Sequence, residues 1–331
     1  MEQIVYKIKL AKFLMKRFEI FPVSPEIEIT TLQEIFNHPV FLDGSEVERK
    51  EIMHKSSERS YYDEINYPWD NYFGIDLFPF LNGKSVLDLG SFNGGRSIAW
   101  FKRYAFSNLV GVDVRQEYID TARLFAAHKE VGAIFKFAPA ESLPFDDNSF
   151  DAALSFEVFE HIRDVRKTLD ECNRVLKVGG RLFVVFPGYY QPTAHHLSLV
   201  TNVPLINCLF SGKILIQAYY DILEERGVEA SWYRRDSPNL KPWEMSNTIN
   251  GTTLSEFHKL IRKGNWNIIL HSRLPFGSIG RKASKNKLYK FASKLLYPLS
   301  AIPMINEITL HRITYILEKR NNNFGSKHSL N

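Results

Sequence analysis

The chain has 331 residues, is 44% hydrophobic and 24% charged, and carries a net charge of +5. That is the composition of an ordinary soluble globular protein, long enough for one large domain or two smaller ones. The modest charge does not demand a nucleic acid, and none is expected, but it leaves room for an acidic partner if the bases cluster. Cys172 and Cys208 are too few for a disulfide framework and read as buried thiols in a reducing cytoplasm.

The chain begins with the basic, partly apolar "MEQIVYKIKLAKFLMKRFEIF". Lys7, Lys9, Lys12, Lys16 and Arg17 interrupt every apolar run, so no signal-peptide core forms. No window supplies ~20 consecutive apolar residues, so no spanning helix is expected. Residues 1–60 read as a polar, helical extension, with a turn at Asp43-Gly44 and a helix through "GSEVERKEIMHKSSERSYY". The aromatic stretch "NYPWDNYFGIDL" (66–77) is expected to help cover a ligand.

From Lys84 short apolar strands alternate with helices. Strands are expected at 84–90, 108–114, 132–138, 149–156 and 181–186, with helices around 94–104 and over 116–129. Ile119, Ala122, Leu124 and Ala126 are the apolar positions of the second helix. Asp164 is placed to cap a further helix bearing Val165, Leu169, Cys172, Val175 and Leu176, with Gly179-Gly180 as its stop. Short connections between alternating elements argue an α/β, doubly wound parallel sheet, which binds ligands at the carboxyl ends of its strands. After residue 186 come loops rich in Pro and aromatics, with a helix near 213–226. A helix at 253–263, a strand at 266–273 and a last strand near 307–318 follow. The resulting division is an extension 1–60, a domain 61–320 with insertions about 187–250 and 274–306, and a disordered tail 321–331.

The stretch "VLDLGSFNGG" (86–95) joins the first strand to a glycine-rich turn. A dinucleotide fingerprint needs G-x-G-x-x-G. Here Gly90, Gly94 and Gly95 are spaced differently, Ser91 and Phe92 stand in the middle-glycine region, and an acid, Asp88, precedes them. Asp88 would repel a phosphate. Asp113 closes the second strand, where a carboxylate can accept hydrogen bonds from both hydroxyls of a ribose.

With "GVDV" (111–114), "APAESLPFDDNSFDAALSFEVFEHI" (138–162) and "ECNRVLKVGGRLFVVFPG" (171–188), this pattern resembles the class I S-adenosylmethionine-dependent methyltransferases over about residues 80–190. The resemblance implies a Rossmann-like sheet of seven strands, mostly parallel with the final strand antiparallel, and S-adenosyl-L-methionine as cofactor. It places Asp88, Gly90 and Ser91 at the methionine end and Asp113 and Val114 at the ribose. Ala140 and Glu141 would lie by the adenine, with Pro139 where the family often has an acid, and Phe156, Glu157 and Val158 would face the methyl group. The alternative for Asp88 is a helix or turn cap.

The reaction expected is O-methylation of a small molecule, sugar or glycan. His161, in "FEHI", and His195 and His196, in "YYQPTAHHLS", are the candidate bases, and no metal site is expected. Tyr189 and Tyr190 would wall a pocket or simply pack. Between 274 and 306, Arg281, Lys282, Lys285, Lys287, Lys290 and Lys294 occur with no acid, followed by "LLYPLSAIPMI". That combination raises a second reading, a lipid or lipid-linked acceptor met by peripheral membrane contact through 281–306. A third is a cofactor-binding protein without transfer activity. A nucleic-acid amino-methyltransferase is disfavoured because "SFEVFEH" replaces an Asn/Asp-Pro-Pro-aromatic motif, and a dehydrogenase by the glycine spacing.

Overall fold

The computed structural model describes residues 2–17, 45–192, 197, 200–201, 203–225, 250–275, 277–279, 287–302 and 305–321. The expected turn at Asp43-Gly44, His195, His196, Arg281, Lys282, Lys285 and residues 322–331 lie outside this set. The chain divides into two units, Met1–Ser56 with Gly188–Thr252, and Ser57–Pro187 with Thr253–Asn331. The longer helices are α1 (Glu2–Arg17), α2 (Glu46–Asn66), α3 (Gly95–Tyr104), α4 (Gln116–His128), α5 (Val165–Val175), α6 (Gly212–Glu225), α7 (Leu254–Lys263) and α8 (Lys287–Lys294).

In the first unit α1 packs on α6. Ala11 and Met15, one helical turn apart, bury against Leu215, Ala218, Tyr219 and Ile222. Lys12 and Lys16 both pair with Glu225. Tyr189 donates its hydroxyl to the Asn207 carbonyl at 2.8 Å and accepts at its own carbonyl from Asn207 Nδ2 at 2.9 Å. Cys208 is exposed, contrary to expectation, because only Ile206 of the short helix Ile206–Leu209 is buried.

The second unit is built on one sheet of seven strands: β1 (Ser85–Leu89), β2 (Asn108–Asp113), β3 (Ile134–Phe137), β4 (Phe150–Phe156), β5 (Leu176–Phe186), β6 (Trp266–Ser272) and β7 (Ile313–Lys319). Their order is β3-β2-β1-β4-β5-β7-β6. The first five are parallel, and β7 runs antiparallel between β5 and β6. Side chains alternate between faces with the strand period of two. Leu87, Leu89, Val110, Val112, Leu182 and Val184 join a core with Phe257, Ile261 and Leu169. Val86, Leu109, Leu154, Phe183 and Val185 join another with Trp69, Phe73 and Trp100. Both faces are therefore covered, which is why the strands read as near-continuous apolar runs.

Local chemistry sets the helix starts. Asp164 caps α5 by accepting from Lys167 N at 2.9 Å. Thr253 and Glu256 form a reciprocal capping box at α7. Several expectations need correction. The helix before β5 stops at Val175, and Gly179-Gly180 lie inside β5 instead of ending the helix. There the pairing jumps from Phe150↔Leu176 to Ala152↔Arg181, and Gly179 takes φ 75°, so the glycines form an irregularity in the strand. Leu124 is exposed; Tyr118 and Phe125 take the buried positions on α4. The expected strand at 307–318 begins only at Ile313, preceded by a helical turn Asn306–Thr309. In that turn the buried Glu307 accepts from Leu254 N at 2.6 Å.

Candidate functional site

The turn after β1 is pinned to β2 by two amides. Gly90 N and Ser91 N both donate to the Val112 carbonyl, at 2.8 and 2.9 Å. Gly90 has φ 71°, and a Cβ there would lie 2.3 Å from Val158 Cγ2. Gly95 opens α3 so close to the next layer that a Cβ would lie 2.1 Å from the Ser57 carbonyl oxygen. Both glycines are thus required by packing within the protein. Gly90→Ala is expected to lower stability by about 2–4 kcal/mol through backbone strain and overpacking. Unfolding in urea should show Val158→Ala recovering part of that loss in the double variant; no recovery would mean that Val158 is not the obstacle.

Around this turn sits a cluster of buried charge. Asp88, within β1, is 3% exposed and accepts from Ser97 Oγ. Burial pushes its carboxyl up to about 7, against the pull of that hydrogen bond and of Arg96. Asp113, at the end of β2, accepts from Phe92 N at 3.0 Å and Arg115 N at 3.2 Å. Burial raises it to about 6 despite these donors. Arg96, in the first turn of α3, stands 3.3 Å from Glu64 Oε2 and lies over the Phe156 ring at 3.9 Å. Glu64 is itself buried and pushed up to about 7 by burial, while it accepts from Trp69 N at 2.8 Å. Val114 is exposed and Ala140 buried, and Glu141 accepts from Arg163 N at 3.1 Å.

A second group gathers at the turn following β4. Glu157 takes φ 58° and forms an ion pair with Arg312, whose Nη2 lies 3.3 Å from Oε2. Glu160 is 1% exposed, and neither of its oxygens has a hydrogen-bond partner among the described residues. Burial and then the Glu157 charge hold its carboxyl well above the ordinary range. His161 Nε2 stands 3.8 Å from Glu160 Oε1. Tyr72 meets Phe156 edge-on at 5.3 Å and His311 at 5.7 Å. Phe156, Glu157 and His161 are therefore assembled at the carboxyl edge of the sheet.

Four of these side chains escape sequence reading. Arg96 follows the glycines with no spacing rule to mark it. Glu64 and Tyr72 precede the first strand in segments that read as extension and cover. Arg312 meets Glu157 across 155 positions. In the aromatic stretch 66–77, Trp69, Phe73 and Leu77 are core residues, and Tyr72 packs beside them against Phe156.

The turn fits the expected cofactor. Ser91 Oγ is buried with no hydrogen-bond partner among the described residues, a polar group facing an unmet need. Both carboxylates retain lone pairs beyond the donors they already have. An acid at Asp88 suits an ammonium and opposes a phosphate; a carboxylate at Asp113 suits a diol. Residues 87–184, which carry this acid-and-glycine turn at the carboxyl edge of a mostly parallel sheet, match the family model described as a methyltransferase domain.

The chain is 40% identical over 108 residues to an uncharacterized methyltransferase, YcgJ, of Bacillus subtilis, covering 32% of this chain and 41% of that protein. It is 34% identical over 110 residues to the ubiquinone biosynthesis O-methyltransferase of Bartonella tribocorum, 33% and 43% of the two chains. It is 28% identical over 158 residues to the O-methyltransferase cnsE of Penicillium expansum, 46% and 56%. The chain thus spans about half the length of the curated relatives it matches. Among solved structures, an S-adenosylmethionine-dependent methyltransferase from Mesorhizobium loti superimposes with TM-score 0.47 at 15% identity, covering 73% of this chain and 93% of that one.

Proposed function

We propose that the protein transfers the methyl group of S-adenosyl-L-methionine to a hydroxyl oxygen of a small molecule, sugar or glycan. The observation that carries the reading is the pair of carboxylates, buried Asp88 and half-buried Asp113, flanking the unsatisfied Ser91 hydroxyl. Asp88 would take the ammonium of the methionine end and Asp113 the ribose hydroxyls, with Ala140 and Glu141 beside the adenine. Bound there, the cofactor supplies an electrophilic methyl on a sulfonium.

What the chain must add is alignment and exclusion of water, because an in-line displacement from a sulfonium needs little else. A hydroxyl acceptor also gains ~10²–10⁴-fold from a base. His161 is the candidate, with the Glu160 carboxyl 3.8 Å from its Nε2. Oxygen as the methylated atom is further supported by relatives named as O-methyltransferases.

The test is incubation of extracts with cofactor carrying a carbon-13 methyl group, followed by mass spectrometry and NMR of the labelled products. A product with the label on oxygen is expected, and Asp113→Ala should lose it together with cofactor binding. Label on nitrogen or carbon overturns the oxygen assignment. No binding by the wild-type chain overturns the reading altogether.

A further inference from the structure

Residues 257–306 hold ten of the chain's 42 Lys and Arg and none of its 37 acids. The remainder is therefore net negative, with 32 bases against 37 acids, and the whole positive excess sits in this one stretch. Its last part leaves β6 after Ser272 and re-enters the sheet at Ile313. Since β7 is antiparallel to both β5 and β6, both ends of this excursion lie at the carboxyl edge of the sheet. His311 N donates to the Leu274 carbonyl at 2.9 Å, closing the excursion at its base beside Arg312 and hence Glu157.

The excursion is inside out. In α8 and the turns after it, the small polar residues face inward: Ser293 and Ser300 are 4% and 2% exposed. Among the described side chains, Leu296 is half-buried and six large apolar residues face outward. Phe291, Leu295, Tyr297, Leu299, Ile302 and Ile305 are each between 37% and 67% exposed. An amphipathic segment in water does the reverse. Single exposed apolar residues are ordinary, but six within fifteen positions, rimmed by exposed Lys287 and Lys294, form a patch that calls for an occupant.

We propose that this surface docks on an anionic lipid bilayer, with the apolar side chains in the interface and the bases among the headgroups. A nucleic acid would use the bases and leave the apolar residues unexplained. A second copy of the same face would bring two strongly basic segments together without a counter-acid. Depth is limited: among the described residues no helix is long and apolar enough to cross a membrane, and Pro298 interrupts the apolar run. The segment therefore lies along the surface. Docked so, the turn bearing Glu157 and Glu160 stands near the lipid, where an acceptor carried in the membrane can reach it.

The experiment is sedimentation of the full-length protein with vesicles of phosphatidylcholine alone, or with about one-third phosphatidylglycerol. Binding is expected only to the anionic vesicles, and it should weaken between about 0.1 M and 0.5 M salt. Each base near an anionic surface is worth roughly fivefold in affinity, so Lys287→Glu with Lys294→Glu should weaken binding at least tenfold. Phe291→Ser with Leu295→Ser and Tyr297→Ser should do the same while Tm and cofactor affinity stay unchanged, since these side chains are exposed. Three results overturn the proposal: no binding of the wild-type chain to anionic vesicles; triple-variant binding equal to wild type; or binding of single-stranded RNA, or self-association, in place of vesicle binding. No turnover is measured, so failure here leaves the methyl-transfer reading standing.

Discussion

Asp88→Asn is expected to abolish measurable S-adenosyl-L-methionine binding and, at the same time, to raise the Tm of the cofactor-free protein at pH 8. The two effects have one cause. Burial lifts the Asp88 carboxyl from its ordinary 3.8 to about 7. At about 1.4 kcal/mol per pH unit, holding it ionised at pH 8 costs the fold up to about 4 kcal/mol. Asparagine keeps an oxygen to accept from Ser97 and removes the charge. The folded-state value lies above the unfolded one, so the folded protein binds more protons. Its stability is fully present below about pH 4 and declines as pH rises to about 7. Glu64, raised to about 7, and Asp113, raised to about 6, act in the same direction.

Cofactor affinity should follow the opposite course, because the ammonium needs an ionised partner. Calorimetric titration of the wild type should find binding strengthening between pH 6 and 7.5 by up to tenfold per pH unit. A wild-type affinity that is flat over that range would refute the ammonium assignment. So would an Asn variant that binds as tightly as wild type.

Arg312→Leu is expected to destabilise the protein by about 1–2 kcal/mol, because the pair it breaks is half-buried and lies between the exposed and buried cases. The loss of attraction is the smaller part. Without Arg312, the Glu157 carboxylate faces the buried Glu160 with no neutralising charge between them. Glu157→Gln in the same chain should restore much of the loss, because it removes the stranded charge. Urea midpoints of the wild type, both single variants and the double variant measure this coupling directly. A single-variant effect within about 0.5 kcal/mol of wild type would put the pair among surface ion pairs of no consequence.

The parallel half of the sheet was legible because each strand is covered on both faces. A run such as "VLDL" cannot be anything but buried, and the turn that follows carries both an acid and left-handed glycines. The candidate residues Asp88, Gly90, Ser91 and Asp113 lie in β1, in the turn after it and at the end of β2. The cluster around Glu157 was not legible in the same way. Arg312 pairs with Glu157 only because β7 enters between β5 and β6, and no local period encodes that choice. Arg96 matters through its stack on Phe156 and its approach to Glu64, both non-local. Gly179-Gly180 misled for a related reason: a glycine pair stops helices and kinks strands alike, and only the register of β5 against β4 decides which. Exposure of Cys208 could not be read because a four-residue helix is too short to show a face.

The position of β7 also bears on how the chain is made. The strand is the last of the sheet to be synthesised, yet its place is internal, between two earlier strands. Until residues 313–319 leave the ribosome, β5 and β6 have no common neighbour, and each presents open backbone amides and carbonyls. Such edges pair readily with other chains. A nascent or truncated product ending before Ile313 would therefore lack the strand that holds Arg312 beside Glu157 and expose two sticky borders at once. The Arg312–Glu157 pair and protection from aggregation thus depend on the emergence of the same seven residues.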